Sequence, residues 1–233
     1  VQITIETDDG PMPAYEARPE SPRGAVVVVQ EAFGVTTHIE DIARRLAEAG
    51  WLAVAPAFFH RQGSPVLDYD DLAKVMPIMS ELTAGGLTTD LAATLDYLGD
   101  QGVEPARTGV VGFCMGGTVT FYAATLRPLG AAVTFYGGGL TEGRFGLPAL
   151  VDQAPSLATP WLGLFGDLDQ GIPVADVEQL RQAVLEAPVD TEIVRYADAH
   201  HGFNCNDRPA VYNAEAAADA WRRTLEFFDA HMG

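Results

Sequence analysis

The stretch "VVGFCMGGTVTF", Val110 to Phe121, sets a cysteine among glycines, with an apolar run before it and helix-forming or β-branched residues after it. Three glycine-rich chemistries compete for it. A dinucleotide fingerprint needs G-x-G-x-x-G, and glycines at 109, 112, 116 and 117 do not supply that spacing. A phosphate loop needs a lysine where Thr118 stands. What fits is G-x-nucleophile-x-G, from Gly112 through Cys114 to Gly116, at a strand-to-helix turn. The turn is so sharp that only small residues fit two places before and two after the nucleophile. In return the side chain stands at a helix N-terminus, where the dipole and free N–H groups favour a thiolate.

A thiol nucleophile needs a base, and the base needs an acid to orient it. Three histidines follow Cys114: His200, His201 and His231. His231 lies in a helical pattern near the end of the chain. The pair in "YADAHHGFN" follows a strand-like segment, and Gly202 and Phe203 after His201 suit a ring projecting from a loop over a site. His201 is the expected base, with His200 as the alternative. For the acid, "GDLDQGIP" offers Asp167 and Asp169. Asp169, just ahead of a helix expected from Pro173, is the expected partner, and Asp167 reads as a turn residue. The oxyanion would be held by two backbone N–H groups, of Met115 after the nucleophile and of Ala32 in the loop after the first buried strand. Glu31, a lone acid directly after "AVVVVQ", completes the candidate set.

These residues need a scaffold that gathers loop ends. "VQITIET" alternates like a strand, with "PAYEARP" as its hairpin partner. "GAVVVVQ", "WLAVAPA", "RTGVVGF", "GAAVTFYGG" and "PWLGLFGD" read as strands, most of them buried on both faces, and "DTEIVRY" as another. Helical periods cover "HIEDIARRLAEAG", residues 68–82 and 86–99, the segment after Cys114, residues 173–186 and residues 211–231. Apolar strands alternating with helices imply a mostly parallel central sheet with helices on both faces. Such sheets bind ligands beyond the carboxyl ends of their strands. Glu31, Cys114, Asp169 and His201 all fall there.

Composition bounds the partners. The chain has 233 residues, 48 % of them hydrophobic, enough for one large α/β domain spanning 1–233. A net charge of −18 leaves no basic face for nucleic acid and disfavours strongly anionic substrates. No apolar run approaches the ~20 residues that span a bilayer, and no leader pattern is present. Two cysteines, Cys114 and Cys205, make no disulfide framework, which fits a reducing, cytoplasmic setting. A redox sensor built on these two cysteines is a rival that the missing C-x-x-C spacing disfavours.

Taken together, "QEAFGV" after the first buried strand, "GFCMGG", "FGDLD" followed by "IP", and "HGF" near the end resemble the dienelactone hydrolase family of α/β-hydrolases, in the family's order over nearly the whole chain. The resemblance implies an α/β-hydrolase fold and a Cys114–His201–Asp169 triad acting on carboxylic esters or lactones through an acyl-thioester. It implies no cofactor or metal, and a monomer or small homo-oligomer. It also implies a role for Glu31, approaching the thiol and setting its protonation. Hydrolysis of activated phosphoryl esters on the same triad, or a catalytically silent ligand-binding scaffold, are the alternatives. One feature departs from the family. Characterised members hold a substrate carboxylate with arginines, one shortly after the catalytic histidine, and that position is Cys205 here. Arg208 comes three residues later, and residues 68–82 hold only Lys74. The expectation is therefore a neutral or weakly charged substrate, with Phe33, Phe58, Phe59 and Met79 as candidate pocket walls.

Overall fold

The computed structural model describes residues 1–233. Its frame is one eight-stranded sheet. The strands are β1 (Gln2–Thr7), β2 (Gly10–Ala17), β3 (Ala25–Val29), β4 (Leu52–Pro56), β5 (Thr108–Phe113), β6 (Ala131–Phe135), β7 (Trp161–Gly166) and β8 (Thr191–Tyr196), in the order β1-β2-β4-β3-β5-β6-β7-β8. The β1–β2 hairpin joins β4 antiparallel, and the pairs from β4 onward to β8 are parallel. The helices are α1 (Thr37–Glu48), α2 (Leu72–Ser80), α3 (Ala84–Asp100), α4 (Met115–Leu126), α5 (Leu150–Gln153), α6 (Val174–Val184) and α7 (Ala214–Met232).

Strand alternation divides the core between the two faces of the sheet. Val26, Val28 and Val111 pack in one cluster with Ile39 and Ile42 of α1 and Phe228 of α7. Val27, Val29 and Val110 pack in another with Leu87 and Leu91 of α3 and Val119 of α4. Because both faces are covered, β3, β4, β5, β6 and β7 are buried at every position. That is why their sequences read as continuous apolar runs.

Two helices start later than their periodicity suggests. α2 begins at Leu72, because the aspartates at 68, 70 and 71 stay in the preceding turn, and Pro77 sits inside it. α7 begins at Ala214, where the Asn213 side chain accepts the amide of Ala216 as a cap. No helix is long and apolar enough to cross a membrane.

Candidate active site

Cys114 is the residue between β5 and α4, with φ 56° and ψ −120°, a conformation that costs a non-glycine residue free energy. Its amide donates to the Phe135 carbonyl at 3.1 Å, which ties the turn to β6. The glycine requirement of the elbow is visible in the packing. A Cβ on Gly112 would collide with the backbone of Gly116, and one on Gly116 with the carbonyls of Val29 and Gln30. Small residues at these two places are therefore what allow α4 to begin directly over β3 and β5.

Asp169 and His201 come from the loops after β7 and β8. Those loops are laced together: the Asp167 amide donates to the Tyr196 carbonyl at 2.9 Å, and the Leu168 amide to the Ala199 carbonyl at 3.0 Å. Asp169 is buried. Its Oδ1 accepts the Gly171 amide at 2.8 Å, and its Oδ2 meets His201 Nδ1 at 2.6 Å. One carboxylate oxygen thus fixes the loop while the other orients the ring. Burial opposes charge on His201, but a negative Cys114 sulfur and the Asp169 carboxylate outweigh it and raise the imidazole's pKa to about 10. The three side chains open onto one cavity of ≈400 Å³ at the carboxyl ends of the strands.

Met115 follows Cys114 directly, and Ala32 lies in the loop after β3; both are buried, and neither amide donates to a carbonyl in the turns and caps. Glu31 is wholly buried, with no hydrogen bond to either carboxylate oxygen. His200 lines the cavity but carries no carboxylate partner, whereas His201 does. His231 bonds its own helix, at the Phe227 carbonyl. Asp167 is no simple turn residue, since both its oxygens pair with Arg195 at 2.8 Å. Met79 lines the cavity, but Phe58 and Phe59 are core residues, each 1 % exposed.

A neutral or weakly charged substrate is the expectation from the family's missing arginine position, yet the cavity holds two cations. Arg208 and Arg144 both line it, and neither guanidinium forms an ion pair within the chain. Arg208 lies over the rings of Phe33 (5.6 Å) and Tyr69 (5.4 Å), so Phe33 is the seat of a cation rather than a free wall. Arg144 lies against Gly138 and Gly139, in the loop after β6. Counting from His201 cannot find Arg144; the signal for it is a cation and an aromatic between glycines in "EGRFG", in a loop that also follows a strand.

Known proteins match this arrangement along its length. A provisionally named carboxymethylenebutenolidase from Yersinia pestis is 39 % identical over 99 % of this chain and 88 % of its own. One from Escherichia coli K12 is 41 % identical over 99 % and 86 %. Among solved structures, a provisionally named dienelactone hydrolase from Klebsiella pneumoniae superposes with a TM-score of 0.89 at 40 % identity, covering 98 % of this chain and 97 % of its own. A dienelactone hydrolase-like promiscuous phosphotriesterase from metagenomic libraries superposes at 0.83 with 25 % identity, covering 100 % and 99 %. The profile of the dienelactone hydrolase family matches residues 12–232, and the chain belongs to that family.

Proposed function

We propose that Cys114, His201 and Asp169 hydrolyse carboxylic esters or lactones through an acyl-thioester on Cys114. The observation that carries this reading is the Asp169–His201 pair, 2.6 Å between Oδ2 and Nδ1, opening onto the same cavity as a thiol held in a strained strand-to-helix turn. The sulfur attacks the carbonyl carbon, and the C=O electron pair moves onto oxygen, toward the Ala32 and Met115 amides. Losing one such donor typically costs ~2.7–4 kcal/mol of transition-state stabilisation. The imidazolium gives its proton to the departing alkoxide as the tetrahedral intermediate collapses. His201 then takes a proton from water, hydroxide adds to the thioester, and the carboxylic product leaves as the thiolate and imidazolium re-form. Water is the one co-reactant, and every proton is returned.

Two unpaired guanidiniums in the cavity favour a substrate that carries an anionic group besides its ester. Their field is local and opposes that of a surface with net charge −18. Attack of the same thiol on an activated phosphoryl ester is a second reading, favoured by the likeness to the promiscuous phosphotriesterase.

Cys114→Ala is expected to lower kcat on p-nitrophenyl acetate by about a thousandfold or more and to abolish the acyl adduct seen by mass spectrometry. Full activity in that variant overturns the reading. Arg208→Ala is expected to raise KM for a carboxylate-bearing ester about tenfold more than for its neutral counterpart. Equal effects on the two would remove the anionic-substrate reading. Parallel assays with a phosphotriester decide the second.

A further inference from the structure

Arg208 and Arg144 reach the catalytic cavity from different sides. Arg208 is seated on the rings of Phe33, in the loop after β3, and Tyr69. Arg144 belongs to the loop after β6. Cys114 follows β5, and the sheet places β5 between β3 and β6. Neighbouring strands lie about 4.8 Å apart, so the two seats stand roughly 10 Å from each other, more than one carboxylate bridges.

The seat of Arg144 is made of glycine. Its Cγ lies 3.3 Å from where a Cβ on Gly139 would stand, and its Nη1 3.0 Å from where one on Gly138 would stand. A side chain at either place would displace the arginine. Gly138 is fastened to the nucleophile's own helix, because Thr118 of α4 donates its hydroxyl to the Gly138 carbonyl at 2.8 Å. Gly138 lines the catalytic cavity, whereas Gly139 lines an adjoining polar one of ≈280 Å³. The stem of Arg144 therefore runs past the polar cavity, and its guanidinium ends on the catalytic side. Glu142 and Asp176 stand in the polar cavity, and neither forms an ion pair with Arg144. Asp176 accepts the Thr141 hydroxyl instead, at 3.0 Å. The next residue, Phe145, lines the catalytic cavity at φ 58°, a conformation that costs a bulky residue free energy. The chain thus keeps strain in the loop that presents an uncommitted cation.

We propose that Arg144 is a second anion subsite, separate from Arg208, and that the substrate carries two anionic groups, one on each side of the scissile ester bond. Arg208 holds one and Arg144 the other, with the carbonyl carbon over Cys114 between them. Arg144 is exposed, so it pairs with its anion at the mouth of the cavity and contributes less than a buried pair. The inference rests on the ester-hydrolase reading and adds the substrate's charge pattern to it.

The test is a panel of four esters: phenyl hexanoate, para-carboxyphenyl hexanoate, phenyl hydrogen adipate and para-carboxyphenyl hydrogen adipate. They place a carboxylate on neither half, on the leaving group, on the acyl group, or on both. Arg144→Ala is expected to raise KM about fivefold more for esters charged on one particular half than for the neutral ester, with the loss in KM rather than kcat. Arg208→Ala is expected to penalise esters charged on the opposite half. The two losses are expected to add on the doubly charged ester. Arg144→Lys, which keeps the charge, is expected to recover part of the loss. Two results overturn the proposal: an Arg144→Ala effect indifferent to substrate charge, or one confined to the same half that Arg208→Ala affects. Calorimetric binding of the same esters to Cys114→Ala, with and without Arg144→Ala, separates this inference from the reading beneath it. The expected binding pattern without hydrolysis by the native protein sinks the ester-hydrolase reading alone. Hydrolysis without that pattern sinks the second subsite alone.

Discussion

At the level of single residues, the site is a balance of charges in partial isolation from water. His201 is the informative group, because its ring nitrogens answer to two different anions. Its pKa of about 10 lies above the ordinary value of ~6.5, so the pairing stabilises the folded chain fully below the latter. That contribution fades as pH rises through about 10. The cause can be tested by substitution. Cys114→Ser replaces an ionisable thiol with a hydroxyl that stays neutral, so one of the two supporting charges disappears. An NMR titration of His201 is expected to show an apparent pKa near 10 in the native protein and a markedly lower one in Cys114→Ser. An unchanged value would mean that Asp169 alone holds the imidazolium. Titration of so close a pair reports the pair and not either partner.

Elements matter here by what they hold still. The segment after β4 carries Phe58 and Phe59 into the core and is pinned to α3 by a buried ionic network. Asp90 of α3 accepts from both terminal nitrogens of Arg61, at 2.8 and 2.9 Å, and meets His60 Nε2 at 3.0 Å. The Asp90 side chain is 1 % exposed and that of His60 3 %. Removing Asp90 leaves the buried His60 ring without its partner, while Arg61, partly exposed, keeps its pairing with Asp9. Asp90→Ala is expected to destabilise the fold by about 3 kcal/mol in urea titrations. Asp90→Asn, which keeps the shape and an acceptor, is expected to cost less. A loss below about 1 kcal/mol for Asp90→Ala would show that water enters and replaces the carboxylate.

For the molecule as a whole, the sheet is a stack whose antiparallel end protects the parallel part. β2 covers β4 along Ala14–Ala17, and β1 forms the outer edge. Ile5, Met12 and Ala14 of this hairpin belong to the same core cluster as Val27 and Val29, which lead to Glu31 and Ala32. Deleting residues 1–17 would bare β4, a five-residue strand buried at every position, as an open hydrophobic edge. The truncated chain is expected to aggregate, seen as a shift to large species in light scattering. A monodisperse, active truncation would show that the hairpin is dispensable.

Much of this was legible in the linear chain, for a local reason. Strands buried on both faces must be apolar throughout, helices must repeat every 3.6 residues, and a nucleophile in a sharp turn must have small neighbours. Such demands are met by adjacent residues, so "GAVVVVQ", "HIEDIARRLAEAG" and "GFCMGG" declare themselves. The order of Cys114, Asp169 and His201 along the chain follows from the same strand-ending logic. Tertiary structure alone decided the rest. It chose His201 over His200 by the direction of one ring, drew Arg144 and Arg208 into one cavity, and left Glu31 buried without a partner. Those outcomes depend on where loops far apart in sequence meet, and on which groups water still reaches, and neither is encoded in the spacing of neighbouring residues.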